Sequence, residues 1–144
     1  MNNASAIGQR SGTWWLVVAL AWAILGGCDE KVQLPQTYPV RGRVVYKGSG
    51  PVAGGVVQFQ ARSDPRLLIN GETDADGNFA LTTQVSDRKL PGAVVGEHQV
   101  TVVPPMPADQ SVEPIVVPKS YVVEAKDNFF TIEINPPRRR AAAR

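Results

Sequence analysis

Asn128-Phe129-Phe130-Thr131-Ile132-Glu133-Ile134 is the stretch that decides the fold. Phe130, Ile132 and Ile134 fall on one side of a period-two chain, with Phe129, Thr131 and Glu133 on the other, the spacing of a half-buried β-strand. The same period appears at the other end of the domain. Tyr38, Val40, Gly42, Val44 and Tyr46 share one face, and Arg41, Arg43 and Lys47 share the opposite one with Pro39 and Val45. Between these ends, Val56–Gln60 reads as a strand entered through a bulge at Gly54-Gly55. Leu68–Thr73 and Asn78–Thr82 read as a hairpin around Asp74-Ala75-Asp76-Gly77, with Gly77 at positive φ. Residues 94–103 form one further strand or two short ones, ended by Pro104-Pro105-Met106-Pro107 because proline cannot donate to a ladder. Residues 104–118, with five prolines, read as a long loop.

Composition agrees with this pattern. After residue 27, Val outnumbers Leu 18 to 5, and nine Gly and 12 Pro interrupt the chain too often for a helical bundle. With 144 residues in all, the chain has room for one modest core. The expectation is an all-β protein, a single antiparallel β-sandwich over residues 38–135 that follows an N-terminal signal segment. A multidomain enzyme, a coiled coil and a polytopic membrane protein are excluded.

The first 27 residues differ from the rest. Arg10 closes a polar start, no charge occurs from Ser11 to Cys28, and Trp14–Leu25 is an unbroken apolar run of 12. That is the length of a signal-peptide core and short of the ~20 residues a spanning helix needs. Cys28 is the only cysteine, so no intrachain disulfide is possible. Residues 28–37 read as a tether and 136–144 as a disordered, Arg-rich tail. Residues 29–137 carry 10 Lys and Arg against 13 Asp and Glu, a balance of −3, whereas 138–144 add four Arg and no acid. A mildly acidic, exported domain is a poor nucleic-acid ligand, and no such partner is expected.

Leu25-Gly26-Gly27-Cys28 resembles the lipobox of bacterial lipoproteins. The resemblance implies cleavage between Gly27 and Cys28, a diacylglycerol thioether on Cys28, and attachment to a bacterial membrane at the cell envelope or surface. Which membrane is left open. A thiol suits that chemistry because the thiolate is the nucleophile that accepts the lipid, and several acyl chains on one residue anchor firmly where a single chain is marginal.

Four segments in order, Tyr38–Val44, Pro51–Phe59, Thr73–Leu81 and Gly96–Val102, followed by Asn128–Ile134, resemble the transthyretin-like, carboxypeptidase-regulatory-like β-sandwich domains of bacterial lipoproteins. That resemblance implies a prealbumin-like sandwich of about seven strands and no particular activity. The same fold includes 5-hydroxyisourate hydrolases, which use several His and Arg residues and end in Tyr-Arg-Gly-Ser. This chain has one His and ends in Arg138-Arg139-Arg140-Ala141-Ala142-Ala143-Arg144, so that site is missing.

Three remaining features have plain structural readings. Asp74 and Asp76, with Glu72 nearby, resemble the opening of a calcium loop, but the residues after Gly77 continue as strand, and turn chemistry accounts for them. His98, the only histidine, has no partner for a zinc site and reads as a strand residue facing solvent or a satisfied partner. Tyr121 and Phe129 are the candidates for exposed rings, too few for a sugar platform, and core or rim packing is the expectation for each. The expected function is a non-catalytic, membrane-anchored envelope lipoprotein, a structural or protein-interaction module with no catalytic residues, metal or cofactor. The alternative is an accessory module for calcium or polysaccharide beside exported enzymes.

Overall fold

The computed structural model describes residues 33–105 and 112–137. The chain there forms thirteen short strands: β1 (Thr37–Tyr38), β2 (Val40–Tyr46), β3 (Gly50–Pro51), β4 (Val56–Ala61), β5 (Leu68–Glu72), β6 (Asn78–Ala80), β7 (Thr82–Val85), β8 (Arg88–Pro91), β9 (Ala93–Val94), β10 (Gly96–Val103), β11 (Ile115–Val116), β12 (Tyr121–Val123) and β13 (Asn128–Ile134). Among the described residues no helix is long and apolar enough to cross a membrane. The fold is all-β and sandwich-like, as the alternation implies, with more and shorter strands than the seven expected.

A seven-stranded sheet runs β11-β10-β4-β5-β7-β8, with β12 also paired to β10. A four-stranded sheet is built on β2, which has β13 on one side and β3 and β6 on the other. A small ladder of β1 and β9 pairs Thr37 with Val94, so the last residue of the expected tether belongs to the domain. Burial alternates as the sequence dictates: Val40 and Val44 in β2, Val57, Phe59 and Ala61 in β4, and Ile132 and Ile134 in β13 face inward. The inward faces of both sheets share one hydrophobic cluster. Phe59 lies at its centre, with ring centroids 6.3 Å from Phe79 and 6.2 Å from Phe130 on the facing sheet. Each such side chain, fully removed from water, contributes about 1.5–3 kcal/mol before ordering costs.

Gly42 stands at an inward position of β2 because nothing larger fits. A Cβ there would overlap the Phe130 carbonyl and come within 2.7 Å of the Phe79 ring. The bulge before β4 is present: Gly54 at φ 72° and Gly55 together oppose Thr73, through Gly54 N–H to Thr73 O at 3.0 Å and Thr73 N–H to Gly55 O at 2.8 Å.

Three expectations need correction. Leu68–Thr73 and Asn78–Thr82 do not form a hairpin with each other. β5 pairs with β4 and β7, whereas β6 pairs with β2, so the Asp-Gly turn carries the chain from one sheet to the other and Leu81 marks the return. A turn of this kind fixes local reversal only, not which strand the next segment joins. The pairing is also not purely antiparallel. β13 lies parallel to β2 over seven residues, Asn128 opposite Val40 through Ile134 opposite Tyr46. Two segments this far apart in sequence have room for the crossover that parallel neighbours need. Finally, the proline-rich loop contains β11, which pairs Val116 with Thr101 and Ile115 with Val102.

Candidate functional site

Gly27 and Cys28 lie outside the described residues, as does the 138–144 tail, so the lipid site is not described structurally. The other sequence-selected residues are.

Asp74 organises the turn. Its Oδ1 accepts backbone N–H bonds from Asp76 and Asn78, both at 2.9 Å, and its Oδ2 accepts from Asn78 Nδ2 at 3.3 Å. The Gly77 N–H closes the turn on the Asp74 carbonyl at 3.0 Å. These donors, the Asn78 N–H foremost, hold the Asp74 carboxyl below its ordinary range. Gly77 has φ 78°, as a tight turn demands, and a Cβ there would come within 2.5 Å of the Val44 carbonyl oxygen. Asp76 uses its carbonyl, which accepts from Arg43 Nε at 2.8 Å. Glu72 sits apart, at the end of β5 opposite Val56. Among the described residues no group of three or more His, Cys, Asp or Glu side chains converges to hold a metal ion.

His98 does not face solvent. It is fully buried on the inward face of β10, its ring centroid 5.8 Å from that of Phe59. Its Nδ1 meets the Gly96 carbonyl at 2.9 Å, so the satisfied-partner reading holds for one nitrogen; Nε2 is buried with no hydrogen-bond partner among the described residues. Burial pushes the imidazole pKa down. The sequence carried the signal for this orientation: His98 has the same parity as Val100 and Val102.

The two ring candidates divide. Tyr121 is buried against Phe130 at 5.2 Å, and its hydroxyl donates to the Thr131 carbonyl at 3.4 Å. Burial, and then Glu133, raises its pKa. Phe129 is 69% exposed on the outer face of the four-stranded sheet, contrary to the packing expected of it. It stands in register with Arg41, and Thr131 with Arg43, so this face combines an aromatic ring with two guanidinium groups.

The outer face of the seven-stranded sheet has a different chemistry, which reading strand by strand missed. Pairing places Val116, Thr101, Gln58, Asn70 and Thr82 in one row across five strands. A second row holds Gln99 and Gln60, and Leu68 stands in register with Gln84. Val103 and Val56 form one end, and Val122, opposite Glu97, lies at the other. None of these twelve side chains is ionisable. Charges occur around them: Glu72 opposite Val56, Glu97 in an ion pair with Arg62 at 3.5 Å, and Lys89 opposite Gln84. Val116 and Val122 are 61% and 57% exposed.

Comparison with protein-family models, curated proteins and solved structures gives no match to this chain.

Proposed function

We propose that this chain is an exported lipoprotein of the bacterial cell envelope, anchored through a lipid on Cys28. Its all-β domain, of the transthyretin-like, carboxypeptidase-regulatory-like kind, serves as a non-catalytic structural or protein-interaction module. The observation that carries the anchor is Leu25-Gly26-Gly27-Cys28 placed directly after an apolar run of signal-peptide length, in a chain with no second cysteine. Arg10 ahead of the run and the tether-like residues after Cys28 fit the same reading.

The non-catalytic role draws support from the placement of the titratable groups. His98 is sealed in the core, and the Asp74 carboxylate is engaged by the turn. Calcium binding would have to compete with those three hydrogen bonds. An interaction role fits a rigid scaffold whose two outer faces differ in chemistry, one with Phe129, Arg41, Arg43 and Glu133 and the other with a centre of amides and hydroxyls.

Membrane fractionation tests the proposal. The wild-type chain is expected to stay in the membrane pellet through high-salt and alkaline washes and to be released only by detergent. Cys28→Ala is expected to lose its lipid and, with it, firm retention of the mature domain. Wild-type protein released by salt alone contradicts the anchor.

A further inference from the structure

The free edge of β13 remains without a role. An edge strand offers unpaired backbone groups to any chain that can add to it, and folds blunt such edges with short strands, proline or charge. The other edge strands here follow that rule. β8 carries Arg88, Lys89 and Pro91, β3 is two residues with Pro51, and β11 is two residues between Pro114 and Pro118. β6 and β12 have three residues each. β13 has seven, with no proline, glycine or lysine and a single charge at Glu133.

The direction of its backbone groups follows from the ladder. The Asn128 N–H donates to the Pro39 carbonyl at 2.9 Å, and the Ile134 carbonyl accepts from the Lys47 N–H at 2.8 Å. Even-numbered residues of β13 therefore turn their backbone groups to β2, and those of Phe129, Thr131 and Glu133 point the other way. Among the described residues, the one bond to this outward row is from the Tyr121 hydroxyl to the Thr131 carbonyl, at 3.4 Å. From this we infer that two copies of the chain join by pairing β13 with β13, antiparallel, about a two-fold axis at Thr131.

The choice of a second copy rests on side-chain complementarity. With Thr131 opposite its own counterpart, Phe129 faces Glu133 of the second copy, and all three outward residues of both strands bond their N–H and C=O groups. The two Glu133 carboxylates then stand four residues apart along the ladder, roughly 14 Å. Each falls on one row with Arg41 of the other copy, since Arg41 is in register with Phe129. Thr131 meets Thr131, a favourable cross-strand pair. On the inner side the half-buried Phe130 lies against Ile132 of the second copy. An arbitrary extended segment would satisfy the backbone but not this side-chain pattern; a second β13 satisfies both. A two-fold contact also closes, capping both edges at once.

Size sets the strength. A seven-residue strand is about 23 Å long, and a contact of that length and one strand wide falls short of the ~800 Å² per partner of a standard stable interface. The dimer is therefore weak in dilute solution and becomes populated where copies are concentrated. The inference specifies the interaction role proposed above and does not depend on the lipid at Cys28.

Sedimentation equilibrium of the full chain in density-matched detergent micelles tests it. The wild type is expected to show a concentration-dependent monomer–dimer equilibrium. Thr131→Lys sets two ammonium groups opposite each other at the axis and is expected to weaken the dimer at least tenfold. Gln58→Lys, exposed on the other sheet, leaves it unchanged. The Thr131 side chain is exposed, and an unaltered far-UV circular dichroism spectrum checks that the variant folds. Hydrogen exchange of the wild type reads the same contact without a substitution. The Phe129, Thr131 and Glu133 amides are expected to gain protection as concentration rises, whereas those of Phe130 and Ile132, bonded to β2, are protected throughout. A chain monomeric at all concentrations, which would leave the edge to an extended segment of a different protein, overturns the inference. So does a dimer indifferent to Thr131→Lys, or one whose outward amides stay unprotected. None of these results bears on the anchor, which the Cys28→Ala fractionation tests separately.

Discussion

Asn128 donates its backbone N–H to the Pro39 carbonyl at 2.9 Å and so starts the parallel ladder that joins the last strand of the domain to its first long one. The side chain does the rest of the work at this corner. Its Oδ1 accepts from the Glu124 N–H at 3.0 Å, and its Nδ2 donates to the Glu124 carbonyl at 3.0 Å and the Lys126 carbonyl at 2.6 Å. One buried amide thus closes the 124–128 turn and sets the register of β13 on β2.

Asn128→Ala leaves the Glu124 N–H and the Lys126 carbonyl without the amide, while the Glu124 carbonyl keeps the Lys126 N–H. Losses of this kind cost about 1–3 kcal/mol where the groups stay shielded from water. Chemical denaturation is expected to show a lower midpoint with an unchanged slope. A variant as stable as wild type would mean that the amide is dispensable.

Ile132 and Phe129 lie on the same strand and face opposite ways, 0% and 69% exposed. Ile132→Ala removes a fully packed side chain and is expected to cost about 2–5 kcal/mol. Phe129→Ala is expected to stay within about 0.5 kcal/mol of wild type. Comparable losses at both sites would reverse the assignment of faces.

Those two residues also show what was legible in the sequence. Period-two alternation identifies the buried side of β2, β4 and β13, because burial of one face imposes it residue by residue. It does not record which strand lies alongside or in which direction, so the parallel β2–β13 pair was not visible. The switch of sheets at Asp74–Gly77 was hidden for the same reason: the residues that reverse a hairpin also reverse a chain crossing between layers. Strands of two residues, such as β9 and β11, are too short to show a period. The row of amides and hydroxyls on the outer face arises only when β10, β4, β5 and β7 are placed side by side.

His98 provides a pH prediction. Its folded pKa is depressed by burial, whereas the unfolded chain titrates near 6.5. Between those values the unfolded state binds more protons, so stability is fully present above about pH 6.5 and falls as pH drops toward the folded value. Thermal melts of wild type and His98→Leu between pH 7.5 and 4.5 are expected to differ in slope, with the variant flatter. Parallel curves would mean that His98 keeps an ordinary pKa.

At the sheet-switching turn, Gly77→Val combines a positive φ with a close approach to the Val44 carbonyl and is expected to cost more than about 1 kcal/mol. Asp76→Ala, which leaves the carbonyl to Arg43 in place, is expected to be near neutral. Asp74→Ala falls between wild type and Gly77→Val in melting temperature, and its contribution is lost as acid protonates the carboxylate below the ordinary Asp range. Equal small effects at all three positions would break this account of the turn.

The central claim is the lipid on Cys28, and intact mass spectrometry of the mature protein tests it most directly. Detergent extracts of wild type are expected to contain a chain lacking residues 1–27 and carrying acyl mass, with no acylated species from Cys28→Ala. A wild-type chain that retains residues 1–27 with an unmodified thiol would contradict the account.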